Sequence, residues 1–316
     1  MIKKDKNTEI ILKEAKKLGL KAKTIYPKRN LIELTKGSRK FLIQQNFRIN
    51  LNRFGTRNIP LFKDLSYFFW QKNNIPIPKT ITAFSFPEAK EGIKKIPFPS
   101  VIKDARASQS RNLWVNIPDL AKAVSILKDL FFNSSIEAVV IQEFIRAEEF
   151  RILVLKNRIL AIAQLVPPCL IGNGQTTAKG LIEELERKTN CTITPDQGMK
   201  DLIKSQGFSL DSVLPAGQKL FLKEYSKISQ GGQIQNISPD KLHPEIKKMC
   251  LKAVKTVGLE LAGLDIMAEN ISESPKGQEI RFIEINGRPD IYIHHCPDKG
   301  EPANVAREIL KYIFKL

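Results

Sequence analysis

The sequence lacks long apolar runs, and none approaches the roughly 20 residues that a transmembrane helix needs. The N-terminal stretch MIKKDKNTEI has no apolar segment of the secretory kind. Cysteine is scarce: four residues in 316, with no CxxC pair and no metal-binding spacing. Histidine is scarcer still, with three residues, which disfavours a zinc module. We therefore expect a cytoplasmic protein with free thiols, without a membrane partner and without a disulfide framework.

Acidic residues are also few at the start of the chain. Residues 1–60 hold 16 Lys and Arg against 4 Asp and Glu, a charge of +12 out of a formal total of +18. Such a lobe favours an acidic partner, such as an acidic peptide, phosphates or nucleic acid, although a solvated lysine-rich surface explains the charge equally well. No RNA-binding motif and no basic stripe interleaved with aromatics accompanies it, which disfavours nucleic acid.

Hydrophobic periodicity predicts an α+β protein with mixed sheets in several lobes. A helix over residues 9–20 and three strands between residues 21 and 45 form a small basic α/β lobe ending near residue 60. FRILVLKNRILAIAQLV has the pattern of a long hairpin, and HPEIKKMCLKAVKTVG has the apolar stripe of a helix. Residues 190–240 are rich in turns and weakly periodic, which predicts an irregular excursion.

Two short apolar segments near the C-terminal end carry oxygen-bearing side chains. In EIRFIEINGRPDIY, Glu284 and Asn286 are two residues apart, so a strand would place both on one face. LAGLDIM presents Asp265 in the same way. If the two strands pair, three hard oxygen ligands converge, as Mg²⁺ prefers. The alternative is that Asp265 and Glu284 pair with lysines.

A series of sequence blocks between about residues 61 and 312 resembles the ATP-grasp ligases. The blocks are FKDLSYFFWQKNNIPIPKT, FPSVIKD, VVIQEFIRAEEFRILVL, VPPCLIGNGQTTAKGLIEEL, ISQGGQ, HPE, VGLELAGLDIM and FIEING. They are similar in particular to the ATP-grasp module of cyanophycin synthetase and of the fused glutamate–cysteine ligase/glutathione synthetase enzymes. The resemblance implies an ATP-grasp fold, in which two α+β lobes grip ATP between antiparallel sheets.

The resemblance also implies a division of the chain. The basic lobe of residues 1–60 would precede an N-terminal ATP-grasp subdomain over residues 61–140. A C-terminal subdomain over residues 141–316 would hold the metal site, with a long excursion covering the site at about residues 166–240.

Several residues acquire roles through this resemblance. The implied nucleotide-binding residues are Lys63, Lys103, Gln142, Glu143, Phe144, Ile145, Glu149 and Arg151. Within this set the two lysines and Arg151 would meet phosphates, residues 142–145 would bind adenine through their backbone, and Glu149 would bind the ribose hydroxyls. Asp265, Glu284 and Asn286 match three Mg²⁺ positions.

The implied reaction is phosphorylation of a substrate carboxylate by ATP, followed by attack of an amine on the acyl-phosphate. Lys103 and Arg151 would act as the catalytic residues, because the barrier falls through positioning and charge neutralisation. The implied cofactors are ATP and two Mg²⁺ ions, for which Mn²⁺ could substitute. The expected substrate is an amino acid or an acidic peptide, and homo-oligomers are common among such enzymes.

The chain departs from the family at two places. The loop KDARASQSRNLWV has no glycine between Lys103 and Val115, so positive φ is costly there, and Arg106 and Ser108 could contact phosphates instead. Leu165 stands where an arginine is usual. These departures leave open a nucleotide-binding protein without ligase turnover, and the basic lobe leaves open a nucleic-acid-associated protein.

Positions that would face the substrate also differ from the family, which suggests a different substrate. The predicted substrate contacts are Ser229, Gly231 and Gly232 in SQGGQ, where adjacent glycines could offer backbone N–H groups to a carboxylate, and Arg288 beyond the metal strand.

Overall fold

Residues 5–44 begin the fold with one helix and a small sheet. In a computed structural model, helix α1 (Lys6–Lys17) starts after Asp5, whose side chain accepts the Thr8 N–H as an N-cap. Three antiparallel strands follow in spatial order: β1 (Lys21–Tyr26), β2 (Leu31–Lys36) and β3 (Arg39–Gln44). The predicted helix and three strands are confirmed. The structure describes residues 5–44, 47, 51–52, 55–106, 112–134, 136–189, 191–226 and 228–316.

A four-stranded antiparallel sheet with three helices follows. Its elements are α2 (Lys63–Lys72), β4 (Thr80–Ala83), α3 (Phe86–Ile93), β5 (Ser100–Asp104), β6 (Leu113–Ile117), α4 (Leu120–Asn133) and β7 (Val139–Glu143). The strands lie in the order β4–β7–β5–β6. Apolar residues of α3, α4 and the sheet form one buried cluster, which fixes β5 in the middle of the layer.

The chain divides into two compact units, Met1–Ala163 with Asn236–Leu316, and Gln164–Gln235. It leaves the first unit within the hairpin of β8 (Glu148–Leu155) and β9 (Arg158–Val166), which the sequence pattern predicted. The extent of the second unit is close to that of the predicted excursion at residues 166–240. Its covering role stays a prediction, as do the limits of the three predicted domains.

The second unit has more regular structure than the sequence indicates. It contains β10 (Cys169–Ile171), α5 (Ala178–Thr189), α6 (Gln197–Ser205) and β11 (Lys219–Phe221). The expectation of irregular structure is wrong for α6. Asp196 caps this helix, and Met199 and Ile203, four residues apart, face the unit's apolar cluster.

The remaining elements are strands that complete a five-stranded sheet, together with α-helices. They are β12 (Gln233–Ile237), α7 (Pro244–Val257), β13 (Leu261–Ala268), β14 (Ile280–Asn286), α8 (Tyr292–His295) and α9 (Val305–Phe314). The strands lie in the order β12–β9–β8–β13–β14, so β13 is central between β8 and β14. The α+β class is confirmed. Among the described helices, none is both long and apolar enough for a membrane span.

The basic lobe shares its core with the C-terminal part of the chain. Ile11 of α1 and Leu34 of β2 belong to the same buried cluster as Leu153 of β8 and Ile309 and Phe314 of α9. Burying such side chains contributes roughly 1.5–3 kcal/mol each. Residues 5–44 are therefore stabilised by contacts with elements far along the sequence.

Asn52 joins the segment after this lobe to the central strands. Its Nδ2 donates to the carbonyls of Leu261 (2.9 Å) and Gly287 (3.1 Å). Its Oδ1 accepts from the N–H groups of Glu260 (2.8 Å) and Leu261 (3.1 Å). The amide thus uses both N–H donors of its nitrogen and both lone pairs of its oxygen. These bonds hold the start of β13 beside the end of β14.

We expect Asn52→Ala to lower the free energy of unfolding by about 2–4 kcal/mol, because buried backbone groups lose their partners. Asn133→Ala is the matched control, since that side chain is exposed and bonds the exposed Asp129 carboxylate (2.7 Å) at the end of α4. Its expected cost is below about 0.5 kcal/mol. Urea denaturation of both variants measures the difference, and similar costs would contradict the role given to Asn52.

Candidate active site

Asp265 and Glu284 form an acidic face on the central strands, and a β-bulge places Glu284 on that face. β13 and β14 are antiparallel, with Asp265 opposite Glu284 and Ile266 opposite Phe282, so Ile283 is an extra residue. The bulge lets both Phe282 and Ile285, three residues apart, enter the apolar core. It therefore places Glu284 on the face of Asp265, away from that core. The pairing expected between the two segments is confirmed.

Asn286 extends this face. It lies opposite Gly263 of β13, two positions beyond Glu284 along β14. Because alternate residues of a strand share a face, its amide lies on the same side as the two carboxylates. A Cβ at Gly263 would lie 3.9 Å from the Asn286 Cβ and 3.5 Å from the Arg151 Cδ, so glycine leaves space between these side chains.

Arg151 is the ion-pair partner of Asp265. The two residues stand opposite each other on β8 and β13. The guanidinium holds the carboxylate through two nitrogens, with Nη2 donating to Oδ2 at 2.8 Å and Nε paired with Oδ1. Burial raises the pKa of Asp265 to about 7; Arg151 opposes this rise, while Glu284 and Glu149 add to it. The observed partner of Asp265 is thus an arginine, not one of the lysines of the alternative interpretation.

Lys103 is the buried cation of the neighbouring sheet. It lies near the end of β5 with 6% of its surface exposed, and its Nζ donates to the Tyr67 hydroxyl at 2.6 Å. Burial lowers the pKa of Lys103 to about 7; Glu284 and Asp265 oppose this fall, and Lys63 adds to it. Lys103 belongs to the four-stranded sheet, whereas Asp265 and Glu284 belong to the five-stranded sheet. Because the three side chains interact electrostatically, they belong to one site.

Tyr67 is a component that sequence reasoning missed. It lies in α2, and its hydroxyl also bonds the carbonyl of Ile283, the bulge residue. Together with Lys63 and Glu284 it lines a narrow cleft. Lys63, for which the resemblance implies a phosphate contact, is the first residue of α2. Its role stays a prediction.

The segment implied for adenine binding, residues 142–145, covers the end of β7 and the two residues after it. The N–H groups of Glu143 and Phe144 donate to the carbonyls of Lys79 (3.2 Å) and Pro99 (3.1 Å). These two groups are therefore already bonded within the protein, and Ile145 beyond them is buried. The adenine role of this segment stays a prediction.

Two further side chains of the predicted nucleotide site lie in this unit. Gln142 is buried and donates to the Thr80 hydroxyl at 2.8 Å. Glu149 precedes Arg151 by two residues on β8, so both side chains share a face. The Glu149 carboxylate also contributes to the raised pKa values of Arg151 and Asp265. It is therefore close to the site, and its ribose role stays a prediction.

Arg106 is the first of the two predicted phosphate contacts in the glycine-free loop. Arg106 forms an ion pair with Glu137 and lies with its guanidinium 4.9 Å from the centre of the Phe62 ring. A phosphate contact by Arg106 would have to compete with Glu137, so this contact stays a prediction. Ser108 lies outside the described residues.

The predicted substrate contacts belong to both units: Ser229, Gly231 and Gly232 to the second, and Arg288 to the first. In the second unit, Gly231 and Gly232 are buried, and the Gly231 N–H donates to Ile228 O at 3.2 Å. That group closes a turn, so it is not the open N–H that the sequence suggested. The side chain of Ser229 lies outside the described part of the structure, and Arg288, just after β14, is exposed. Their substrate roles stay predictions.

The donor set formed by Asp265, Glu284 and Asn286 fits a hard divalent cation. Among the described residues, no group of three or more His, Cys, Asp and Glu side chains is arranged to hold a metal. Two carboxylates and an amide are nevertheless a suitable minimal set for Mg²⁺, which retains water and phosphate ligands. The raised pKa of Asp265, to which Glu284 contributes, shows like charges held together, and a bound cation would offset their repulsion.

Comparison with known proteins identifies the fold. Residues 63–167 match the model of the RimK-like ATP-grasp domain. A bifunctional glutathione synthetase from Pasteurella multocida superposes with a TM-score of 0.70 at 19% identity, covering 98% of this chain and 44% of that one. The chain therefore has the ATP-grasp fold, as the sequence blocks indicated.

Two curated relatives define the resemblance more closely. The chain is 29% identical over 324 residues to the glutathione biosynthesis bifunctional protein GshAB of Clostridium perfringens, covering 98% of this chain and 41% of the relative. It is 27% identical over 328 residues to the cyanophycin synthetase of Nostoc sp., covering 98% and 35%. It thus spans less than half the length of either relative.

Proposed function

We propose that this protein is an ATP- and Mg²⁺-dependent carboxylate–amine ligase that forms an amide or peptide bond through an acyl-phosphate. One observation carries the proposal. Arg151 pairs with the buried Asp265, which lies opposite Glu284. The buried Lys103, from the other sheet, bonds the Tyr67 hydroxyl, which also bonds the carbonyl of Ile283 beside Glu284. Two cations beside a divalent-metal donor set suit a triphosphate, whose reaction needs charge neutralisation more than a nucleophilic side chain.

Each residue has a distinct task in this proposal. Asp265, Glu284 and Asn286 would hold two Mg²⁺ ions, or Mn²⁺, and Arg151 would keep the Asp265 carboxylate oriented while facing the phosphates. Bound Mg²⁺ supplies charge neutralisation and polarises phosphoryl oxygens. Lys103 presents its ammonium group to the transferred phosphoryl group as a point charge. Lys63, Arg106 and Ser108 would support the phosphates, residues 142–145 the adenine, and Glu149 the ribose.

The substrate in this proposal is an amino acid or an acidic peptide. The names of the relatives, which refer to glutathione biosynthesis and to cyanophycin, support this class. The charge of +12 over residues 1–60 favours an acidic chain in particular. Ser229, Gly231, Gly232 and Arg288 are the proposed contacts.

The test is phosphate release from Mg-ATP across a panel of amino acids and short acidic peptides, each with and without an added amine. A ligase releases phosphate only when a carboxylate and an amine are both present. ATP binding without release across the panel would favour the nucleotide-binding alternative. Salt-sensitive binding of RNA or DNA, with no ATP binding, would favour the nucleic-acid alternative.

A further inference from the structure

A buried tyrosine hydroxyl links the phosphate side of the site to its metal side. The Tyr67 side chain is 2% exposed, and its hydroxyl contacts both the Lys103 Nζ (2.6 Å) and the Ile283 carbonyl. Lys103 belongs to β5 of the four-stranded sheet, and Ile283 is the bulge residue next to Glu284 on β14. One oxygen atom therefore bridges a proposed phosphate ligand and the backbone that carries a proposed metal ligand.

The direction of these hydrogen bonds follows from counting protons. A phenol has one proton, and a carbonyl oxygen can only accept, so Tyr67 donates to Ile283 and accepts from Lys103. The Gln142 Oε1 lies 3.5 Å from the hydroxyl, at the limit of a hydrogen bond, and competes weakly for the proton. Burial and the nearby Glu284 raise the pKa of Tyr67, so the phenol keeps its proton.

Packing alone explains the ring but not the hydroxyl. The ring lies 6.1 Å from that of Trp70 and belongs to the apolar cluster beneath the sheet. Phenylalanine would fill this space equally well. The hydroxyl adds the polar contacts to Lys103 and Ile283, and both lead to the site.

We propose that Tyr67 is a positioning residue that fixes the Lys103 ammonium group and holds it at a constant position relative to the bulge at Ile283. The inference rests on the proposed function, because that function gives Lys103 its phosphate. Its consequence is that the hydroxyl affects recognition of the phosphates and leaves recognition of the nucleoside unchanged. Without the hydroxyl, the protein loses a hydrogen bond to a charged group. We expect such a bond to contribute about one order of magnitude to the affinity for ATP.

The test compares the wild type with Tyr67→Phe, measuring the affinities for Mg-ATP and for adenosine by calorimetry. We expect Tyr67→Phe to weaken ATP binding about tenfold and to leave adenosine binding unchanged. Tyr312→Phe is the matched control, because it also loses one hydroxyl, which bonds Glu260 at 3.0 Å, and it should change neither affinity. Thermal melting of each variant verifies that the fold is retained.

A double-mutant cycle with Lys103→Ala separates positioning from a general structural effect. If Tyr67 acts through Lys103, Tyr67→Phe should not weaken ATP binding further once Lys103 is alanine. Equal losses for ATP and adenosine, or additive losses in the cycle, would overturn the inference. Unchanged ATP affinity in Tyr67→Phe would overturn it while leaving the proposed function standing. A wild-type protein that binds no ATP would overturn both.

Discussion

Glu284→Gln should reduce phosphate release from Mg-ATP by at least about a hundredfold, because the proposed metal ligand loses its charge while its shape is preserved. The bulge holds this side chain opposite Asp265, so the neutral amide would remain on the same face. The remaining carboxylate, Asp265, is already shared with Arg151. We therefore expect the affinity for Mn²⁺, measured by electron paramagnetic resonance, to fall together with the rate.

Glu279→Gln is the control for this prediction. Glu279 lies immediately before β14 and pairs with Arg281 at 2.8 Å, so the same chemical change is made beside the site instead of in it. Its rate should stay within about twofold of the wild type, since this ion pair is outside the proposed set of metal ligands. If the two variants lose activity and Mn²⁺ affinity equally, Glu284 is not a metal ligand.

Arg151→Ala should lower the free energy of unfolding by about 3–5 kcal/mol, because it leaves the buried Asp265 carboxylate without its partner. The loss should depend on pH. The pKa of Asp265 is raised to about 7, and a buried carboxyl without its arginine can escape the penalty by taking up a proton. The deficit should therefore be smaller at pH 5 than at pH 8. Urea denaturation at both pH values measures it.

Arg158→Ala provides the comparison on the same hairpin. The Arg158 side chain is 70% exposed and pairs with Glu308 at 3.3 Å, so its removal should cost less than about 1 kcal/mol at either pH. A different result would be that Arg151→Ala lowers the free energy of unfolding by less than about 1 kcal/mol, or by more at pH 5 than at pH 8. Either outcome would contradict the role given to the ion pair between Arg151 and Asp265.

The acidic face could be predicted from sequence because its signals are local. A separation of two residues placed Glu284 and Asn286 on one face, and an apolar strand around Asp265 suggested the partner. The bulge could not be predicted in this way. Phe282 and Ile285 are both apolar and three residues apart, and nothing in the sequence alone distinguishes an extra residue from a strand that ends early.

The role of Tyr67 could not be predicted from the sequence for a different reason. It is one aromatic residue among several in α2, and the groups that it bonds are 36 and 216 residues away in sequence. Helix α6 was missed because it is short, and only Met199 and Ile203 mark its buried face. Contacts that depend on tertiary proximity, and elements with few apolar residues, are thus the parts that sequence patterns do not specify.

The core shared by α1, the first sheet and α9 has a consequence for how the polypeptide is made. Ile11, Leu34 and Ile43 are synthesised long before their neighbours Ile309 and Phe314. Contacts between distant segments form slowly, and unburied apolar surfaces favour aggregation until they do. The nascent chain therefore exposes an unfinished apolar surface until residues 309–314 have been made, and we expect it to engage chaperones during that interval.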